Sequence, residues 1–186
     1  MHLDQRLSNL SFQCVQGWVT ALDVNALDAT LAVYEGSHRH VAEFARRFGL
    51  TDQKMDWYKL SNSDEHEFFS VEKECPLRCI QCPAGSLVLW DSRTIHQGME
   101  SIEGRLMPNT RCVTYVCYTP RSKASAAELK RKREDFETCR TTNHWPHRPR
   151  VFGKAPQTYG KPLPDLDPLT RAPELTPLGR RLAGYE

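Results

Sequence analysis

The sequence predicts a mainly β domain with a few peripheral helices, followed by a basic, proline-rich extension. Three observations carry that prediction. Short runs rich in β-branched and aromatic side chains recur through the first 120 residues, separated by turn formers. One stretch among them repeats apolar residues at helical spacing. Eight of the twelve prolines fall after residue 145, and residues 141–186 hold too many for regular elements.

Residues 14–24 alternate apolar and polar side chains and are expected to form a strand, as are residues 30–34 after a turn at 25–28. Gly36 and Ser37 end the second strand. Val41, Phe44, Ala45 and Phe48 fall on one face of a helix, and Gly49 stands where its C-terminal cap belongs. Residues 51–66 are polar and read as a loop with local helix. Further strands are expected at 68–71, 78–81, 86–90, 94–97 and 111–118. The extension opens with the capping-box pattern Ser125-Ala-Ala-Glu128, followed by a helix with a thin apolar stripe. Beyond residue 141, spaced aromatic and leucine side chains suggest a segment packed on the core. The expected organisation is a core over 1–120 and an extension over 121–186.

At 186 residues the chain is long enough for one substantial core. Hydrophobic residues make up 39% and charged residues 26%, as in ordinary globular proteins. Residues 121–186 carry 14 basic and 8 acidic side chains, against 11 and 15 in residues 1–120. That asymmetry is a faint hint of an anionic substrate, with solvated charge as the commoner cause. The sequence has no signal-peptide pattern and no transmembrane run. Seven scattered cysteines suit a reducing, cytoplasmic setting.

His2-Leu3-Asp4 is an H-x-D pair. In extended chain, residues i and i+2 point to the same side, so an imidazole and a carboxylate converge on one ion. His96, expected just after a strand and a tight turn, can complete a two-histidine, one-carboxylate triad. Such a triad leaves coordination positions open and is diagnostic of non-haem iron(II) oxygenases. Arg111 opens a strand-like run and can offer a two-pronged donor to a carboxylate. Arg105 competes for that role from a loop.

His2-x-Asp4-Gln5, Gln16-Gly-Trp-Val19, residues 30–38, Gly85-Ser-Leu-Val-Leu-Trp-Asp-Ser92 leading to His96, and Arg111 together resemble the phytanoyl-CoA dioxygenase-like family. The resemblance covers about residues 2–120. It implies a double-stranded β-helix, also called a jelly-roll or cupin-like barrel. It also implies iron(II) on His2, Asp4 and His96, 2-oxoglutarate as cosubstrate with its distal carboxylate on Arg111, ascorbate as an accessory reductant, and hydroxylation of a small organic molecule. The H-x-D pair normally follows a substantial N-terminal part, so the expected barrel lacks its opening strands. A binding or scaffold protein of the same fold, without turnover, is the alternative.

Other candidates have plainer readings. Cys75, Cys79 and Cys82 are read as ordinary thiols rather than a zinc site. His38 and His40 are assigned to a structural or pocket-rim role, Trp18 to the core, and Trp90 to packing beside the His96 strand. Residues 64–67 are read as a charged loop. Lys130-Arg-Lys-Arg133 precedes three acids and is read as a solvated helix face rather than a nucleic-acid site. His144 and His147 lack further ligands nearby. The oligomeric state is not legible in these residues.

Overall fold

The computed structural model describes residues 1–104, 111–151 and 171–185. The chain divides into two compact units, Met1–Val116 and Cys117–Glu186.

The first unit is built on two antiparallel sheets. One has five strands, in the order β4 (Tyr58–Lys59), β1 (His2–Leu3), β7 (His96–Met99), β3 (Thr30–Tyr34) and β5 (Leu77–Cys79). The other has three, in the order β6 (Leu87–Asp91), β2 (Val15–Thr20) and β8 (Val113–Tyr118). The two sheets pack face to face in a jelly-roll-like sandwich. Among the described residues they do not close into a barrel.

Strand parity decides which side chains meet between the sheets. Leu31 and Val33 of β3 face Trp18, Val88, Trp90 and Val113 of the three-stranded sheet. Trp18 is fully buried there. Val33 stands opposite His96, and Leu31 opposite Gly98, so both β7 residues share this interior face. The alternate residues of the five-stranded sheet point the other way. Tyr34 and Leu3 pack on a second cluster with Val41, Phe44, Ala45, Phe68 and Phe69. Those side chains come from α1 (Val41–Arg47) and from the turns after α2 (Ser63–Glu67). Phe44 lies 4.9 Å from Phe69 and 5.5 Å from Phe68 between ring centroids, an aromatic cluster that anchors the helices on the sheet.

On the outer side of the three-stranded sheet, Val19 stands opposite Leu87 and Gly17 opposite Leu89. Val19, Leu87 and Leu89 are all exposed. Gly17 is required by close approach. A Cβ there would sit 2.5 Å from Leu89 Cδ2 and 2.6 Å from the Val88 carbonyl oxygen.

Residues 68–71 form no strand. Phe68–Glu72 is a single π-helical turn continuing α2. Phe68 and Phe69 are both fully buried, and two consecutive inward side chains do not fit the alternation of a one-sided strand. The charged stretch 64–67 is helical rather than loop, because Glu65 is a structural acceptor. Its carboxylate receives the Tyr58 hydroxyl at 2.8 Å, the Ser61 hydroxyl at 2.9 Å and the Ser61 amide at 2.7 Å. Burial, with Glu65 beside it, pushes the Tyr58 phenol up to about 12.

In the second unit, α3 (Ala126–Glu137) starts at a complete capping box. Ser125 Oγ accepts from the Glu128 amide, and the Glu128 carboxylate accepts from the Ser125 amide at 2.7 Å. The proline-rich end does contain a regular element, α4 (Pro177–Ala183). Pro177 occupies the first turn, where its missing N–H is harmless, Thr176 caps the start, and Gly184 ends the helix in the left-handed region. Much of 141–186 otherwise lies outside the described residues. No described helix is long and apolar enough to cross a membrane.

Candidate metal centre

β1 is two residues long, yet it is held on both sides. His2 pairs with Lys59 of β4 on one flank and with His96 of β7 on the other. Because His96 faces the sandwich interior, the cross-strand partner His2 does too. Asp4 follows at i+2 and returns to the same side.

The three side chains converge. His2 Nε2 lies 3.5 Å from one Asp4 carboxylate oxygen, and His96 Nε2 lies 3.3 Å from the other. The imidazole centroids are 4.3 Å apart. One ligand-capable atom from each residue lies within 4.8 Å of the others, the one such group of three among the described residues. His96 is buried, while the His2 side chain is 26% exposed, so the group is open on the His2 side.

Proton positions follow from the partners. His96 Nδ1 lies 2.9 Å from the Thr94 carbonyl oxygen. A carbonyl only accepts, so Nδ1 carries a proton, and Nε2 faces Asp4 either as a lone pair open to a metal or as a second donor. A lone pair and a carboxylate facing each other at 3.3 Å repel unless a cation or a shared proton stands between them. Burial alone would push the Asp4 carboxyl up. With protons shared from the imidazoles, hydrogen bonds and charge from His2 and His96 outweigh it and hold the group well below the usual carboxylate range. The set is thus one anion and two imidazoles, a donor set that suits a divalent transition metal.

A second set of contacts orients the first. Gln16 of β2 donates from Nε2 to Asp4 at 2.9 Å, and its Oε1 accepts from Trp90 Nε1 at 3.0 Å. The indole N–H can only donate, which fixes the Gln16 amide with its NH2 toward Asp4. The Trp90 ring lies 5.4 Å from that of His96. Gln5, next to Asp4, is fully buried, accepts from the Ser92 hydroxyl at 2.7 Å and donates to the Asn9 and Ser11 carbonyls. This locks the chain that carries Asp4 to the turn before β7. Sequence reasoning placed Gln16 in a motif but gave it no role. A polar side chain at the interior parity of a strand, in step with Trp18, was the available signal.

Arg111 precedes β8. Its Nη2 donates to the Tyr115 hydroxyl at 3.0 Å, and its Nη1 is buried without a hydrogen-bond partner. A Cβ on Gly98 would lie 3.8–3.9 Å from the guanidinium nitrogens. Gly98 and His96 share one face of β7, so the guanidinium lies over that face two residues along from His96. The missing side chain at 98 leaves room for it. A buried guanidinium N–H lacking an acceptor is suited to receive a carboxylate. Arg105 lies outside the described residues.

The remaining candidates stay apart from this group. Cys75 is buried, Cys79 exposed and Cys82 half-buried, all as free thiols. His38 belongs to a 3-10 turn, Ser37–Arg39, and His40 caps α1. In the 130–133 run, Lys130 and Arg131 reach Glu134 and Asp135 one turn on.

The sequence profile of phytanoyl-CoA dioxygenase (PhyH) matches residues 1–102. This is a family generally dependent on iron(II) and 2-oxoglutarate. The chain is also 26% identical over 156 residues to Ava biosynthesis cluster protein O of Aspergillus versicolor, covering 79% of this chain and 48% of that protein. The chain therefore spans about half the length of the curated relative it matches. The matched region contains β1 through β7, with His2, Asp4, Gln16 and His96. With more than half of its length under that profile, this chain belongs to the phytanoyl-CoA dioxygenase family.

Proposed function

We propose that the chain acts as an iron(II)- and 2-oxoglutarate-dependent dioxygenase that hydroxylates a small organic molecule. The observation that carries this reading is the convergence of His2, Asp4 and His96 on one point of the sandwich interior. In the reaction, one oxygen atom of O2 enters succinate as 2-oxoglutarate loses CO2, and the other enters a substrate C–H bond as hydroxyl. Bound iron(II) supplies the oxidising chemistry. The chain's own residues do the rest. Asp4 offsets part of the metal charge, and His2 and His96 give neutral nitrogen donors. Gln16 and the Thr94 carbonyl hold Asp4 and His96 in position. The Arg111 guanidinium takes the distal carboxylate of 2-oxoglutarate on its unpartnered Nη1. Trp18 and Trp90 keep the sandwich interior beside the site apolar.

Adding iron(II) and 2-oxoglutarate without oxygen should produce a charge-transfer absorbance, lost in His96→Ala. Arg111→Gln should keep metal binding and raise the 2-oxoglutarate concentration needed by at least about tenfold. Folded wild-type protein with no such band would overturn the reading.

A second reading, a binding or scaffold protein without turnover, is favoured by the two sheets standing open among the described residues. Succinate production above that of His96→Ala excludes it.

A further inference from the structure

The second unit carries a pocket of about 230 Å³ that is open to solvent. Among the described residues its wall includes Arg121, Lys132, His147 and Arg181, together with Leu129 and Leu182, and no Asp or Glu. The unit is basic as a whole, and apart from Glu174 its described acids have contacts of their own. Glu134 and Asp135 pair with Lys130 and Arg131, Glu128 closes the capping box, and Glu137 accepts from the Tyr185 hydroxyl at 2.7 Å.

None of Arg121, Lys132 and Arg181 forms an ion pair among the described residues. Lys132 donates one of its three N–H groups to the Leu182 carbonyl at 2.9 Å. Its neighbour Arg133 donates to the Gly184 carbonyl at 2.7 Å. These two carbonyls, which would repel an anion, are thereby covered. Burial pushes the Lys132 ammonium down, and the Arg121 charge adds to that effect. Like charges gathered on one wall, without a counter-charge among the described residues, attract an anion.

Size and lining narrow the anion. The pocket is small and open on one side. It admits a phosphoryl group with a compact organic body, and Leu129 and Leu182 offer that body an apolar wall. We propose that this pocket binds a small phosphate monoester, its oxygens on Arg121, Lys132 and Arg181 and its organic part against the two leucines.

The test uses the full chain without metal, titrated calorimetrically with phenyl phosphate and with inorganic phosphate at constant ionic strength. Phenyl phosphate should bind one to one and more tightly than inorganic phosphate. Binding should weaken at least about tenfold in Arg121→Gln/Arg181→Gln and stay unchanged in Arg140→Gln, an exposed arginine outside the pocket. Circular dichroism checks that the double variant keeps its helices. If it does not, amide shift changes in the wild type should centre on Lys132 and Leu182. Non-saturable binding, equal loss in Arg140→Gln, equal affinity for the two probes, or shifts centred elsewhere would overturn the proposal.

Discussion

At the scale of single residues, the proposed centre depends on a side chain that touches no metal. Gln16 belongs to one sheet and Asp4 follows a strand of the other, so their hydrogen bond ties the two layers at the site. Trp90 fixes which end of the amide faces Asp4. In Gln16→Leu, Asp4 loses that donor while strand β2 keeps a side chain of similar bulk. Iron(II) or cobalt(II) affinity should then fall about 10–100-fold with little change in melting temperature. An unchanged affinity would mean that His2 and His96 alone orient Asp4. The convergence of His2, Asp4 and His96 was legible, because H-x-D in extended chain is a local geometry and His96 followed a recognisable strand and turn. Gln16 was not, since its partners lie 12 and 74 residues away. Only the pairing of sheets brings them together.

Among the elements, those with local rules were read well. β3 occupies residues 30–34, as its β-branched run predicts, and α1 follows the spacing of Val41, Phe44 and Ala45. Ser125 and Glu128 announce α3 because a capping box is complete within four residues. Phe68–Glu72 misled because aromatic and β-branched residues favour strands, while burial of two adjacent phenylalanines demands a helical turn. The proline count hid α4, although Thr176, Pro177 and Gly184 supply its start and stop. The pairing of β2 with β6 gives a sharper test. In Gly17→Ala the new methyl meets a backbone carbonyl that cannot step aside. The loss should be about 2–3 kcal/mol in urea unfolding. Trp90 rides on the displaced strand, so metal affinity should drop as well. A variant of native stability would show that β6 shifts freely.

For the whole molecule, the buried apolar side chains are distributed unevenly. Among the described residues, every fully sequestered hydrophobic side chain but Trp145 belongs to Met1–Val116. Local stability follows local burial. Hydrogen exchange should therefore be slowest in β3 and β7 and clearly faster in α3, despite its capping box. Equal protection in α3 and β3 would contradict that ranking. The bare outer face of β2 and β6 has a different consequence, one for handling. Val19, Leu87 and Leu89 form an adhesive plate, and among the described residues β6 beside them is an edge strand of its sheet. Sulfate salts, which strengthen apolar association, should drive this protein to self-stick early, whereas a charge introduced as Leu89→Lys should keep concentrated solutions clear.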